Sequence, residues 1–123
     1  MRILLVDDEP DITLPFRIGL EDSGFEVDAF NDSVMALSKF KDRSYVLALL
    51  DIKMPKMNGF ELYNELRKIN EKLKVCFITA FDVQKEDLKA LSELNGNLAI
   101  IRKPIAIGDL VKKVKLELGS NQA

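Results

Sequence analysis

Five short apolar runs, spread evenly along the chain, constrain its fold more than any other feature of the sequence. They begin 21 to 29 residues apart, which leaves room for one helix in each gap. The runs are Ile3–Val6, Phe25–Phe30, Val46–Leu50, Val75–Ile78 and Leu98–Ile101. Strands that alternate with helical segments are typical of a parallel sheet covered by helices on both faces. The pattern therefore predicts an α/β fold.

The second run differs from the others, because it alternates apolar residues with the acids Glu26 and Asp28. Such alternation suits an edge strand with one partly wet face. The first, third and fourth runs are continuously apolar, which suits central strands that are buried on both faces. With right-handed crossovers, these assignments favour a doubly wound, five-stranded parallel sheet of order 2-1-3-4-5, which is a flavodoxin-like (βα)5 architecture.

Local signals place helix boundaries between the runs. Gly24 stands where a helix C′ residue is expected after the first helix. Either Asn31 or Asp32 caps a second helix. Asn58 and Glu61 have the spacing of a capping box that begins a third. The predicted apolar face of that third helix consists of Phe60, Tyr63, Leu66 and Ile69.

Two further helices follow from the same kinds of signal. Asp82 is expected to cap a fourth helix with an apolar face of three leucines, Leu88, Leu91 and Leu94. The last helix has an apolar stripe at the i, i+3, i+4 and i+7 spacing. Its members are Ile107, Leu110, Val111, Val114 and Leu118.

Composition and charge exclude several classes of function. A net charge of −2 gives no reason to expect nucleic-acid binding. The chain has no histidine, which excludes a Ser-His-Asp hydrolase, a histidine-ligated zinc site and a phosphohistidine carrier. The single cysteine, Cys76, allows neither a disulfide framework nor a cysteine metal site. No apolar stretch approaches the roughly 18–20 residues that span a bilayer. We expect a cytoplasmic protein with no signal peptide and no membrane contact.

Polar residues follow the predicted strands at the points where the strands end. Asp51 ends the third run, Asp7 and Asp8 follow the first, Thr79 follows the fourth and Lys103 follows the fifth. The carboxyl ends of parallel strands meet at one edge of the sheet, which is where open α/β sheets bind their ligands. We therefore expect these five side chains to converge.

The convergence restricts the chemistry of this edge. Two carboxylates about 4 Å apart repel by roughly 4 kcal/mol at an effective dielectric constant near 20. The cluster must therefore take up a proton, a lysine or a cation. Lys103 is one candidate, and Mg²⁺, which is commonly held by carboxylates, is the other. A carboxylate beside a divalent metal can attack phosphorus to give an aspartyl phosphate. Lys103 and the Thr79 hydroxyl could each take a phosphoryl oxygen.

Four segments at these strand ends resemble the receiver domain of two-component response regulators. The segments are Val6–Pro10, Asp51–Gly59, Thr79–Ala80 and Lys103–Pro104. The D-x-x-M-P-x-M-x-G pattern of the second segment is highly specific, whereas the acidic pair alone would be weak. The resemblance implies a CheY-like fold with a receiver domain over residues 1–119. Residues 120–123 would then be a C-terminal tail or a linker stub.

The resemblance also implies a metal site. Mg²⁺ is implied to bind Asp8, Asp51 and the backbone carbonyl of Lys53 directly, and Asp7 mainly through water. Asp51 is implied to accept a phosphoryl group from a phosphohistidine on a sensor histidine kinase or a phosphotransfer protein. The domain is then expected to catalyse its own phosphorylation and dephosphorylation, without turning over a metabolite.

Other residues are implied to handle the phosphoryl group. Lys103 would pair with its oxygens, Thr79 would shift to hydrogen-bond one of them, and Ala80 would keep the entrance open. By the same resemblance, the Lys103–Pro104 bond is expected to be cis. Phosphorylation is expected to change the surface that a downstream effector or output domain reads, with phosphorylation-dependent homodimerisation left open.

Three positions depart from the family's usual pattern. The family often has an aromatic residue three positions before the lysine, and here that position is Ile100. Output is then expected to rely on backbone movement near Thr79. Lys53 and Phe81 flank the path of the hydrolytic water in this fold, so both are predicted to alter the lifetime of the phosphoryl group.

Three alternatives compete with a phosphoacceptor. A haloacid-dehalogenase-like phosphatase also uses an Asp at a strand end, but it needs a second acid two residues later, where Lys53 stands. A flavodoxin-like cofactor-binding module would need a phosphate-binding loop, and no Gly-rich loop of either common spacing is present. A receiver-like module that acts only by protein interaction, independently of phosphorylation, is the third. The complete set of acids, hydroxyl and lysine argues against this third alternative.

Overall fold

A five-stranded parallel sheet forms the centre of the protein in a computed structural model that describes residues 1–80, 89 and 98–119, without the side chain of Leu98. The strands are β1 (Arg2–Val6), β2 (Glu26–Phe30), β3 (Leu47–Asp51), β4 (Lys74–Thr79) and β5 (Leu98–Arg102). They lie in the order β2-β1-β3-β4-β5, and every pairing is parallel. The predicted order and the placement of the acidic second strand at an edge are confirmed.

Within the described residues, two helices cover each face of the sheet. The helices are α1 (Pro10–Asp22), α2 (Ser33–Phe40), α3 (Gly59–Ile69) and α4 (Ile107–Gly119). Helices α1 and α4 pack on one face, and α2 and α3 pack on the other. The helix predicted after Asp82, the position of Phe81 and the predicted tail at 120–123 lie outside the described residues. No described helix has the length and apolar character that a membrane crossing requires.

The alternation of side chains along the strands divides the core into two layers. In β3, Leu47 and Leu49 face α1 and α4, whereas Ala48 and Leu50 face α2 and α3. All four are fully buried, as expected for a central strand that is covered on both sides. Cys76 is also buried, and this burial raises the pKa of its thiol to about 12. It is a core residue with little thiolate at neutral pH.

Two of the predicted helix caps form as the sequence indicates. The Asp32 carboxylate accepts the backbone N–H groups of Val34 at 2.8 Å and Met35 at 3.2 Å, so Asp32 rather than Asn31 is the cap of α2. At the start of α3, the Glu61 N–H donates to Asn58 Oδ1 at 2.9 Å, and the Asn58 N–H donates to Glu61 Oε1 at 3.0 Å. This reciprocal pair is the predicted capping box.

The predicted apolar face of α3 is partly wrong. Tyr63 and Leu66 are buried as expected, but Leu62 is buried as well, and Ile69 is 42 % exposed. The difference arises because the helix packs most closely at Gly59. The stripe that starts there continues through Leu62 and leaves Ile69 to one side.

Candidate functional site

Three acids meet at the carboxyl edge of the sheet, as the sequence predicts. Asp7 and Asp8 follow β1, and Asp51 is the last residue of the neighbouring strand β3. One carboxylate oxygen from each residue lies within 4.8 Å of the other two. Asp7 is fully buried, Asp51 is 5 % exposed, and Asp8 is half-buried. The cluster therefore opens to solvent on the side of Asp8.

Lys103 reaches into this cluster from the end of β5. Its Nζ lies 2.7 Å from Asp7 Oδ2, a charge-assisted contact between largely buried groups. The same nitrogen lies 3.8 Å from Asp51 Oδ1 and 3.8 Å from Glu9 Oε1. Those two distances are too long for hydrogen bonds, but they are short enough for strong electrostatic attraction. Lys103 is thus the counter-charge of Asp7 first and of Asp51 second.

This environment shifts the proton affinity of two groups. Burial and the charges of Asp7 and Asp8 together raise the pKa of Asp51 to about 7, although the charge of Lys103 opposes them. Burial alone would lower the pKa of Lys103, but its hydrogen bond and ion pair with Asp7, together with Asp51 and Glu9, hold the pKa above its usual value. The lysine is therefore charged, while the Asp51 carboxylate is poorly compensated.

The donor set of the cluster suits a hard divalent cation. Three carboxylates face one largely buried ammonium group, so negative charge remains at an edge that water can reach through Asp8. Mg²⁺ binds oxygen ligands and usually keeps several of its waters, which an open cluster of this kind allows. Lys53 lies two residues after Asp51 in the loop before α3, and its side chain is exposed. Since an ammonium group cannot bind a cation, only its backbone carbonyl could contribute.

Thr79 lies at the same edge, and its hydroxyl donates a hydrogen bond to the backbone rather than to an acid. It ends β4 next to β3 and is 4 % exposed. Its Oγ1 donates to the carbonyl of Ala80 at 3.3 Å, and its own carbonyl accepts the Lys103 N–H at 2.7 Å. Thr79 thus joins the ends of β4 and β5 through its backbone. Its hydroxyl is held by the long hydrogen bond to Ala80, which a change of side-chain rotamer would break.

Gly59 supports Asp51 from behind, and the sequence reasoning assigned it no role. A Cβ at this position would lie 2.3 Å from the carbonyl oxygen of Asp51, so no other residue fits without movement of the backbone. The Gly59 N–H donates to the Ile52 carbonyl at 2.9 Å, which closes the loop between β3 and α3. The glycine that ends the D-x-x-M-P-x-M-x-G segment was the available signal, because a glycine at a helix start can mark a close backbone approach.

Asn31 and Glu9 also support the cluster in ways that the sequence reasoning missed. The Asn31 side-chain amide donates to the Asp7 carbonyl at 2.8 Å and to Thr13 Oγ1 at 2.9 Å. The Glu9 N–H donates to Asp7 Oδ1 at 3.0 Å. Asn31 directly follows β2, beside the end of β1, and this placement was the only hint in the sequence.

One expectation that came from the resemblance is confirmed, and one departure from the family's pattern can be placed in the structure. The Lys103–Pro104 peptide bond is cis. Ile100, which stands where the family often has an aromatic residue, is 44 % exposed on the edge strand β5. Its side chain is aliphatic and therefore offers no ring or hydroxyl with which to report a change at Thr79.

Comparison with known proteins gives a consistent family assignment. The model of the response regulator receiver domain matches residues 3–115. The response regulator receiver protein CpdR of Brucella abortus is 32 % identical over 114 residues, covering 93 % of each chain. The regulatory protein VanRB of Enterococcus faecalis is 34 % identical over 115 residues, which are 94 % of this chain and 51 % of VanRB.

Solved structures agree with the sequence matches. A receiver domain protein (CheY-like) from Methanospirillum hungatei superposes with a TM-score of 0.88 at 30 % identity, covering 98 % of this chain and 95 % of that one. The chain spans about half the length of several curated relatives, among them VanRB and a CpxR homologue of Haemophilus influenzae.

Proposed function

The chain belongs to the family of response regulator receiver domains, and from this premise we propose that Asp51 is the residue that accepts the phosphoryl group. Support comes from one juxtaposition above all. Asp51 ends a buried strand beside two further acids, with the Lys103 ammonium 3.8 Å from its Oδ1. The charge of the Asp51 carboxylate is only partly compensated, and the Lys103 ammonium lies close enough to pair with the oxygens of a phosphoryl group attached to it.

The transfer is an in-line displacement at phosphorus. An oxygen of the Asp51 carboxylate attacks the phosphorus of a phosphohistidine on a sensor histidine kinase or a phosphotransfer protein. The new O–P bond forms as the P–N bond breaks, and the electron pair of the P–N bond stays on the imidazole nitrogen, which takes a proton from solvent. The product on this chain is an aspartyl phosphate, a mixed anhydride. Hydrolysis of this anhydride by water returns the free carboxylate.

Lys103 and Thr79 have separate roles in this proposal. Lys103 already lies near Asp51 Oδ1, so a phosphoryl group attached there would bring its oxygens toward the ammonium group. Thr79 would turn its hydroxyl from the Ala80 carbonyl to a phosphoryl oxygen. This turn would move the end of β4, which is joined to β5 by the hydrogen bond from the Lys103 N–H to the Thr79 carbonyl. A change at Asp51 would thereby bias the conformation of neighbouring segments.

Mg²⁺ is the cofactor that we assign to the acidic cluster. Asp8, Asp51 and the Lys53 carbonyl would hold it directly, and Asp7, which is already paired with Lys103, would act through water. When bound, the ion neutralises charge on the phosphoryl oxygens during transfer. The chain's own contribution is to fix Asp51 in place through Gly59 and the paired strands on either side.

The partners follow from the family. We assign a sensor histidine kinase or phosphotransfer protein as the phosphoryl donor, residues 1–119 as the receiver, and the cytoplasm as its location. A downstream effector or an output domain would read the phosphorylated state, and homodimerisation is one form that this reading can take. VanRB, about twice as long as the region matched here, is named a regulatory protein.

Intact-mass spectrometry after incubation with acetyl phosphate tests this function. With Mg²⁺ we expect a mass gain of one phosphoryl group, and we expect none when the metal is chelated. Asp51→Asn should abolish the gain, whereas Asp22→Asn, at an exposed acid on α1, should leave it intact. No gain with acetyl phosphate or with a panel of sensor kinases would favour the module that acts only by protein interaction.

A further inference from the structure

The outer edge of β2 carries backbone groups that the sheet leaves unpaired. The Glu26 N–H donates to the Met1 carbonyl at 3.0 Å, and the Phe30 carbonyl accepts the Asp7 N–H at 3.1 Å. Both residues therefore direct their backbone groups toward β1. Because this direction alternates along a strand, Val27 and Ala29 direct theirs away from the sheet. Two N–H and two C=O groups line the edge, at the spacing that an added strand requires.

A groove runs along this edge, with a volume of about 610 Å³. Its floor is the β2 segment from Val27 to Phe30. Its walls come from α1, α2 and the segment that leads into β3, namely Arg17, Lys39, Asp42, Arg43 and Tyr45. The groove thus extends over both faces of the sheet at the exposed edge, where an extended peptide would have room for side chains above and below it.

The acid on the floor of the groove is already neutralised. Asp28 Oδ2 accepts the Tyr45 hydroxyl at 2.6 Å, and Asp28 Oδ1 accepts a guanidinium N–H of Arg2 at 3.0 Å. Asp28 therefore presents little free negative charge to a ligand. The same hydrogen bonds fix the phenol ring of Tyr45, which forms a rigid wall.

Cations flank the groove on both faces of the sheet. Arg17 lies on α1, the side toward which Val27 and Ala29 point, and Lys39 and Arg43 lie on the opposite side. Arg17 Nε lies 3.4 Å from an oxygen of Glu21 in an exposed pair, which is worth little and easily exchanged. Among the described residues, Lys39 has no ion-pair partner. Successive side chains of an added strand point to opposite faces, so acids at consecutive positions would reach cations on both sides.

We propose that this groove, the β2 groove, binds an extended acidic segment of a partner protein, which adds to the sheet as a sixth strand beside β2. The backbone of Val27 and Ala29 supplies the pairing, and Arg17 and Lys39 select for acids. Arg43 contributes less, because its Nε already lies 3.6 Å from Asp28 Oδ2. A second copy of this chain fits less well. The acids of its own β2, Glu26 and Asp28, are already paired with Arg2, so a second copy would bring no free carboxylate to the cations of the groove.

Fluorescence anisotropy with short labelled peptides tests the β2 groove. The probe alternates valines with pairs of glutamates, a second peptide has glutamine in place of glutamate, and a third carries N-methyl groups on alternate backbone amides. Arg17→Glu and Lys39→Glu change the exposed cations. Lys68→Glu on α3 is the matched control, since its side chain is 72 % exposed and lies outside the groove. Circular dichroism verifies that each variant is folded.

The acidic peptide should bind, and each groove variant should weaken it about tenfold, whereas Lys68→Glu should change binding by less than about twofold. The glutamine and N-methylated peptides should both fail to bind. Slower hydrogen exchange of the Val27 and Ala29 amides in the complex would identify the edge directly. No binding, equal binding of the N-methylated peptide, or equal loss with Lys68→Glu would overturn the proposal. So would a dimer by sedimentation that Lys39→Glu disrupts, because that result identifies a second copy as the occupant.

Discussion

At the scale of single residues, the ionised form of Asp51 lowers the stability of the folded protein. Burial and the neighbouring charges of Asp7 and Asp8 raise the pKa of Asp51 to about 7. In the unfolded chain the carboxyl loses its proton near pH 4. The folded form therefore binds this proton more tightly. The resulting stability is present below about pH 4 and is lost as the pH rises through 7, as the charged form accumulates among like charges.

Asp51→Asn should therefore stabilise the metal-free protein at high pH. We expect its thermal midpoint to exceed that of the wild type by about 3 °C or more at pH 8, and the gap to narrow toward pH 5. The groups that face Asp51 are Asp7, Asp8 and Lys103, and all three remain in the variant. Calorimetry in a chelating buffer measures this, with Asp22→Asn as the control. A lower midpoint for Asp51→Asn at pH 8 would contradict the electrostatic account.

Lys53 is predicted to set the lifetime of the phosphoryl group. Its exposed side chain follows Asp51 by two residues, on the loop beside the acidic cluster. Lys53→Asn places a short amide there, which can orient a water for attack, so we expect dephosphorylation to accelerate about threefold or more. The decay of the phosphorylated mass gives the rate, and Lys68→Asn on α3 is the matched control. An unchanged rate would remove Lys53 from the account of hydrolysis.

At the scale of elements, the sequence determined the strands better than it determined what supports them. The apolar run that ends at Asp51 is readable because a central strand is buried on both faces, and the Asn58–Glu61 box is readable because caps are local. The role of Asn31 could not be predicted from the sequence, since its hydrogen bond to the Asp7 carbonyl joins two strand ends that only the folded sheet brings together. The α3 face was misplaced at Ile69 because the contact between Gly59 and Asp51 sets the rotation of the helix.

The α3 capping box should contribute measurably to stability. Asn58→Ala removes the acceptor of the Glu61 N–H and should lower the free energy of unfolding by about 1 kcal/mol. Asn64→Ala, at an exposed position within the same helix, should be neutral or slightly stabilising, because alanine has the higher helix propensity. Urea denaturation compares the two. Equal effects of the two substitutions would show that the cap contributes nothing specific.

Lys56 carries backbone strain in the loop between β3 and α3. Its φ is 68°, and the Met57 N–H donates to the Pro55 carbonyl at 2.7 Å across it, which is a tight three-residue turn. Lys56→Gly should relieve the left-handed conformation and stabilise the fold by about 0.5–1 kcal/mol. Its Nζ lies 3.4 Å from Asp32 Oδ2, but this exposed pair is worth little. Lys56→Ala is the control, because it also loses the ion pair but keeps the strained backbone. Urea denaturation should show the glycine variant to be the more stable of the two. The reverse order would argue against strain at this position.

At the scale of the whole molecule, two edges of one sheet offer different chemistry. The carboxyl edge gathers Asp7, Asp8, Asp51 and Lys103 into a charged cluster suited to phosphoryl transfer. The lateral edge at β2 offers unpaired backbone and flanking cations suited to a peptide. The Phe30 carbonyl ends β2 and accepts the Asp7 N–H, so the two edges meet beside the acidic cluster.

The identity of the phosphorylated residue is the central claim, and borohydride reduction tests it most directly. Borohydride converts an aspartyl phosphate into homoserine and leaves free carboxylates unchanged, so peptide mapping of protein treated with acetyl phosphate and Mg²⁺ locates the modified position. We predict homoserine at position 51 alone, and none when the metal is chelated. Homoserine at position 7 or 8, or its absence from a protein that has gained the phosphoryl mass, would contradict the assignment of Asp51.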